Sequence, residues 1–330
     1  MAADDAGGPA HDHDEALEGA ARTPVADVPS PEEEAGAPPV PHRTRTKDVA
    51  EVLFANKLAV FGLIVLGLLL LVALLGPLIA PKSPTSIDVS ARLEGPSLDH
   101  PFGTDELGRD VFSRVLIGAR VSLQVGAIAV SIALVAGVGI GLVAGYYGKL
   151  VDTLLMRLMD MVFAFPAILL AIAILAVLGP GIRNAMIAIG VVYTPIFARV
   201  TRGSVLSVRE EVYVRAARSL GASDARLILR HVLPNVAGPI IVQTSLSLAF
   251  AILSEAALSF LGLGVQAPDP AWGRMLSEGR AFIQTAPWMG IFPGLAIVVT
   301  VLAFNFVGDA LRDALDPKQQ TVLSARGGAG

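Results

Sequence analysis

The chain has 330 residues, 53% apolar and only 16% charged, with a mean hydropathy of +0.64 and no cysteine. Soluble domains carry about 25% charged and about 45–50% apolar residues, so this composition belongs to a membrane protein. The missing cysteines exclude a disulfide scaffold, a thiolate metal site and a Cys nucleophile, and the net charge of −4 argues against nucleic acid, whose binding proteins present a basic surface.

Residues 1–42 have a composition of their own, with acids from Asp4 to Glu34 set among Pro, Ala and Gly against one basic residue, Arg22. Such a stretch cannot bury enough apolar surface to offset its ordering entropy, so residues 1–45 are expected to be a disordered acidic tail. The run His11-Asp12-His13-Asp14 on that tail is at best a loose metal ligand set. The leader is acidic and the first apolar run begins only near Leu58, which does not fit a signal peptide.

A spanning helix needs about 20 apolar residues. Leu58–Ala80 meets this within an N-terminal segment 46–82, and Pro81 and Pro84 stop it. A segment at 83–119 then precedes a core, 120–310, with five further spans: Val121–Gly148, Met161–Ile182, Asn184–Ala198, Val236–Leu263 and Ala281–Gly308. The short fourth span can be lengthened by snorkelling of Arg199 and Arg202, and Pro287 places the start of the sixth near Trp288. The expected fold is an all-α membrane protein of six transmembrane helices. Placing both termini in the cytoplasm leaves nearly twice as many Lys and Arg inside as outside, so the N-in, C-in orientation is expected. Segment 83–119 is then extracytoplasmic, and residues 311–330 form a cytoplasmic tail.

The largest inner loop, 204–235, repeats apolar residues every four positions at Val208, Val212, Ala216 and Leu220, which marks a narrow apolar stripe on a helix. Gly221 breaks that helix, Ser223 is placed to cap a second one through His231, and Leu233-Pro234 is expected to end it. Two short helices at an angle result, with Ala216-Ala217 as a small face another backbone can approach. An amphipathic helix lying on anionic lipid is the plainer alternative.

The spacing Ala216-Ala217, Gly221, His231, Leu233-Pro234 resembles the loop by which ABC importer permeases dock into a cytoplasmic ATPase, with Arg215 where that family usually has Glu and Ala222 following the glycine. The stretch from His100 to Asp110 with Ser113-Arg114, Arg157-Leu158-Met159-Asp160, Ala164-Phe165-Pro166, Glu255 to Gly264 and Gly308 to Pro317 are similar, in this order, to the dipeptide/oligopeptide/nickel permeases, DppC/OppC type, over roughly residues 45–320. The resemblance implies a type I importer permease core (MetI-like) with an extra N-terminal helix. It also implies a second permease subunit (DppB/OppB type), two cytoplasmic ABC ATPases (DppD/DppF type) holding ATP and Mg, and an extracytoplasmic substrate-binding protein. The implied substrate is a short peptide, with nickel chelates or another small solute as alternatives. Residues 204–235 would be the ATPase-coupling loop, with Arg215, Ala216, Ala217, Gly221, Ala222, His231, Leu233 and Pro234 as its motif positions.

Glu255 is the one acid deep in a span, where an unpaired carboxylate is costly, so it should face the bundle interior or water, as a helix-to-helix hydrogen bond or as a gate. With Arg199 and Pro195 it is a candidate for the pathway. Arg157 and Asp160 share a helix face and can pair. Pro166, Pro195, Pro239 and Pro293 are bending points, Gly137, Gly141 and Gly145 form a close-packing stripe, and Trp272 and Trp288 suit interfacial anchors, with Trp272 alternatively open to an extracellular partner. The sequence has no G-x-x-x-x-G-K-[ST] phosphate loop, no H-E-x-x-H and no G-x-S-x-G. No cofactor is therefore expected on this chain, nor any catalytic residue or metal site. A stand-alone ion-coupled carrier titrating Glu255 is the rival reading, but the matched broken repeats such a carrier should show are missing.

Overall fold

The computed structural model of the chain describes residue 50 and residues 53–315, within a compact unit that starts at Arg45. The acidic tail at 1–45 and residues 316–330 of the C-terminal tail lie outside the described residues. Among the described residues the protein is helical without strands, with one isolated bridge between Thr104 and Asp110. Five helices are long and apolar enough to cross a membrane, or six if one bent pair counts as a single span.

Helix α1 (Lys57–Ile79) begins where the Asn56 side chain accepts from the amides of Leu58 and Ala59. Helix α2 (Val111–Tyr147) starts ten residues before the expected Val121. Asp110 caps it by accepting from Ser113 N at 2.8 Å, and Arg114 in its first turns is only 1% exposed because carboxylates neutralise it. The early arginine therefore does not mark a boundary.

The third span is not continuous. Helix α3 (Lys149–Phe163) and helix α4 (Ala167–Leu178) meet at 90°. Pro166 lies at the break and caps α4, a place where its missing N–H costs nothing. Helix α5 (Ile182–Val208) runs ten residues past the expected Ala198, straight through Arg199 and Arg202, because each of these finds a carboxylate on α3.

Helix α6 (Val212–Ser219) follows, and then Gly221 at φ +81°, a left-handed turn that glycine adopts without strain. A short helix α7 (Asp224–Arg226) and a π-helical turn (Leu227–Val232) lead into helix α8 (Leu233–Phe260). Leu233-Pro234 does not end a helix here. Pro234 occupies the first turn of α8, so the second arm of the elbow and the span are one rod. Ser223 stands at the expected cap position but makes no side-chain capping bond. Helix α9 (Trp272–Gly279) and helix α10 (Trp288–Leu315) are the last among the described residues.

The centre of the bundle is α2 against α5. A Cβ on Gly137 would meet Thr194 O at 2.6 Å, one on Gly141 would meet Ala198 O at 2.5 Å and one on Gly145 would meet Val205 Cβ at 2.8 Å. The glycine stripe thus brings two backbones together, the packing that lipid-embedded helices depend on. Val125, Ala129, Ile189, Phe197 and Leu258 fill the adjoining core.

Candidate functional site

Three regions carry polar chemistry: the elbow, the α3–α5 face beside it, and the opposite end of the bundle.

The elbow is anchored from within. Val214 and Leu227 are fully buried with Leu142, Val205, Val232 and Val236, and Ala217 and Ala222 pack against this cluster. Of the expected stripe only Val208 packs against this cluster; the other three positions point the other way. Val212 is 72% and Leu220 89% exposed, and Ala216 is exposed beside them. The alanine pair is therefore divided: Ala217 holds the elbow to the spans, and Ala216 lies on its free face. Arg215 is exposed on the same helix, Gly221 has open space around it, and His231 and Leu233 are half-buried where the elbow joins α8.

Polar bonds tie the elbow to α2. The Tyr146 hydroxyl donates to Asp224 Oδ1 at 2.6 Å, Arg218 lies 5.4 Å from the Tyr146 ring, and Arg209 Nη1 donates to Gly145 O at 2.7 Å, satisfying a carbonyl at the end of α2. None of these partners has a spacing in sequence that announces the bond. Tyr213 on α6 has its phenol pushed above the usual range, first by burial and then by the Glu211 carboxylate.

On the α3–α5 face, Arg202 grips both oxygens of Asp152, at 2.5 and 2.6 Å. Farther from the elbow, Arg199 Nη2 donates to Asp160 Oδ1 at 2.7 Å and its guanidinium lies 4.1 Å from the Phe163 ring centre. Asp160 thus pairs with Arg199 of another helix, not with Arg157 as its i, i+3 spacing suggests. Pro195, one turn along from Arg199, is buried, so it can contribute a bend but no contact with a solute.

At the opposite end, the segment from His100 to Asp110 folds as a clip. Lys82 Nζ lies 2.8 Å from His100 Nε2, and His100 Nδ1 lies 3.0 Å from Asp110 Oδ1. Asp105 accepts from the amides of Leu107 and Arg109, both at 2.9 Å, and from Arg109 Nε at 2.6 Å. Glu278 on α9 accepts from Arg109 and Arg114, each at 3.1 Å, and from Arg274 at 2.8 Å. Asp105, Glu106 and Glu278 come together closely enough to share a cation, yet Arg109 and Arg114 already occupy that position. The Glu106 carboxyl is held above its usual range by burial, aided by the like charges of Asp105 and Glu278, and its Oε2 has no hydrogen-bond partner. The tryptophans belong to this clip: Trp288 Nε1 donates to Thr104 O and Trp272 Nε1 to Val115 O, both at 3.0 Å. Trp272 is 1% exposed and so is neither a lipid-interface anchor nor open to a partner.

Glu255 is also 1% exposed. Its Oε1 accepts from Ser259 Oγ at 2.7 Å and its Oε2 from Ser122 Oγ on α2 at 3.2 Å, while Ser259 Oγ accepts from Val265 N at 3.1 Å. The carboxylate joins α8, α2 and the turn after α8.

The chain was compared with known proteins. Residues 137–321 match the family model "Binding-protein-dependent transport system inner membrane component", and residues 44–96 match "N-terminal TM domain of oligopeptide transport permease C". The dipeptide transport system permease protein DppC of Alkalihalophilus pseudofirmus is 50% identical over 299 residues, 91% of this chain and 97% of that protein. The glutathione transport system permease protein GsiD of Escherichia coli is 49% identical over 252 residues, 76% of this chain and 83% of that protein. Among solved structures, an inward-facing form of the MetNI methionine ABC transporter matches with a TM-score of 0.51 at 16% identity, covering 62% of this chain and 97% of that one, which is a likeness of fold. The helical bundle, the elbow and the family match over most of its length agree, and the chain belongs to the inner-membrane permeases of binding-protein-dependent ABC transport systems, in the DppC/OppC branch.

Proposed function

We propose that this chain is one of two permease subunits of an ATP-driven importer of short peptides, working with a DppB/OppB-type permease, two cytoplasmic ATPases and an extracytoplasmic binding protein. Its relatives carry dipeptides and glutathione by name, which supports a peptide over a nickel chelate. The chain itself binds no nucleotide in this reading; ATP and Mg sit on the ATPase subunits. Both termini and the elbow lie in the cytoplasm, by the excess of Lys and Arg on that side, and the clip at 83–110 lies outside, where a binding protein would meet it.

The observation that carries this reading is the two-sided elbow. Its inner side, Val214 and Ala217, is packed into the spans, and its outer side, Val212, Ala216 and Leu220, is left bare. A helix built this way transmits force: an ATPase bound to the bare side moves the elbow, and the unbroken rod through Pro234 carries that motion into α8. Nucleotide then shifts the bundle between states because it favours one of them through the docked elbow.

Ala216→Glu places a charge on the docking side without touching the inner cluster. Membrane yield should equal that of the native chain, while co-purification of the ATPases falls at least tenfold and uptake stops. Native co-purification by Ala216→Glu, or uptake by the chain alone in liposomes without ATP, would overturn the proposal.

A further inference from the structure

Two ion pairs join α3 to α5, and they differ in kind. Arg202 and Asp152 are closed upon each other, with both carboxylate oxygens used. Arg199 and Asp160 share a single contact, and their side chains are 40% and 56% exposed. Asp160 Oδ2 and the other guanidinium N–H groups of Arg199 have no hydrogen-bond partner among the described residues, and the guanidinium carbon lies 4.1 Å from the Phe163 ring centre.

This open pair sits at the bend between α3 and α4, beside α5. Arg199 lies 17 residues into α5 from Ile182, about 26 Å at 1.5 Å per residue. Helix α4 descends from the same end, its Leu178 separated from Ile182 by Gly179-Pro180-Gly181 alone, and reaches the bend beside Phe163 and Asp160 after about 17 Å. Both measures fall inside a hydrocarbon layer about 30 Å thick. Charged groups at such a level face a bundle interior or a water-filled path, or reach the interface, rather than acyl chains. The 90° bend at Pro166 is what brings α3 under α4 and presents Asp160 here.

We infer that Asp160, Arg199 and Phe163 form a clasp in the translocation path for the charged ends of a zwitterionic peptide, Asp160 receiving the terminal ammonium and Arg199 the terminal carboxylate. This rests on the peptide reading above. Two residues of extended chain reach at most ~7 Å, enough for one dipeptide to straddle the pair on its unused edges without breaking it. Carboxylate recognition suits a guanidinium with free N–H groups, and the ring beneath keeps the guanidinium in place and partly dry. A solute lacking either charge loses one of the two contacts.

The probe is radiolabelled dialanine, binding to the complete transporter complex in nanodiscs without its binding protein, with dialanine amide and N-acetyl-dialanine as competitors. The native complex should bind dialanine saturably and prefer it at least tenfold over either blocked form. Arg199→Gln should lose at least tenfold in dialanine affinity and no longer distinguish the acid from the amide. Asp160→Asn should lose the preference for the free amine, and Arg199→Lys, which keeps the charge, should retain part of the affinity. The clasp is refuted if Arg199→Gln binds dialanine as the native complex does, or if both blocked forms compete equally with dialanine. Those results with ATP-driven dialanine uptake intact would remove the clasp alone; absence of any peptide uptake by the native complex with all its subunits would remove the functional reading instead.

Discussion

Replacing Tyr146 by Phe should loosen the elbow from α2 while leaving both where they are. The Tyr146 ring is 7% exposed and packed with Val205, Val214 and Leu227, and Phe preserves all of that. What is lost is one hydrogen bond at 2.6 Å to the Asp224 carboxylate. Bonds to charged groups contribute about 1.5–3 kcal/mol; Asp224 is exposed and regains water in the variant, so the lower end applies, about 1.5 kcal/mol. That is small beside the stability of a whole domain, so insertion and assembly survive. It is large beside a mechanical coupling, because about 1.4 kcal/mol is tenfold in an equilibrium. Arg209 still holds Gly145 O, so the link weakens without vanishing. In liposomes bearing the complete complex, Tyr146→Phe should hydrolyse ATP at close to the native rate while peptide imported per ATP falls about five- to tenfold. Asp224→Asn keeps an acceptor oxygen and should fall between. Native peptide-to-ATP stoichiometry in Tyr146→Phe would refute the assignment of this bond to force transmission.

Gly141→Val pushes a side chain into Ala198 O and Thr201 Cβ, at 2.5 and 2.7 Å from its first carbon, and should lower the thermal midpoint in detergent by the cost of overpacking, about 1–3 kcal/mol or more, whereas Gly139→Ala, with nothing within 4 Å, should leave it unchanged. Glu106 has its carboxyl raised in the fold, so the folded state binds the proton more tightly than the unfolded one and loses stability as pH rises past the unfolded value; Glu106→Gln should therefore raise the midpoint at pH 8 and not at pH 4, and equal effects at both would contradict the burial of Oε2. Glu255→Gln should keep near-native uptake because its amide can still meet Ser122 and Ser259, while Glu255→Leu strands both hydroxyls at about 1–3 kcal/mol each; abolished uptake in Glu255→Gln at native yield would instead favour a proton-coupled carrier.

Apolar runs located the spans well because lipid imposes length and hydropathy directly on sequence. Lys57–Ile79 and the start at Trp288 lie within a residue of expectation. Boundaries failed wherever a charge was neutralised by a residue remote in the chain. Arg114 marks no helix start because Glu278, 164 residues away, accepts its proton bond, and Arg199 and Arg202 end no span because Asp160 and Asp152 stand opposite. The elbow's break at Gly221 was legible, since only the backbone is involved. Which of Ala216 and Ala217 faced inward was not, because a four-residue repeat marks a stripe without saying what covers it. The stripe through Val212 and Leu220 proved to be the bare side, and the burial fell to Val214, outside the repeat. Trp272 misled for a related reason: tryptophan suits an interface, but its N–H is satisfied equally well by Val115 O in a core.

The distribution of strong contacts indicates which parts move together. At the clip end, Glu278 accepts from three arginines, on the clip, α2 and α9, and the two tryptophan N–H groups bond backbone carbonyls, so the clip, the start of α2, α9 and the start of α10 are riveted into one cap. At the elbow end, α2 is joined to the second arm through Tyr146 and to the residue after α5 through Arg209, single polar bonds over an apolar cluster, which can slide where a buried ion-pair network cannot. Helix α4 is loosely held: of its twelve residues only Ala171 and Leu175 are buried, and Pro166 frees one end of it. Motion entering at the elbow therefore has a stiff cap at the far end of the bundle and a compliant element beside the Asp160–Arg199 pair. A bundle built in this way opens and closes around that pair, with α3 and α4 changing their mutual angle while α2 and α5, fused along the glycine stripe, serve as the fixed post. The prediction is a distance change: spin labels on Leu158 and Val177, both exposed, should separate or approach on ATP binding by the complex, whereas labels on Leu98 and Ile283 of the cap should keep their spacing. Equal changes in both pairs would mean that the cap moves too, and that the arginine rivets do not hold it.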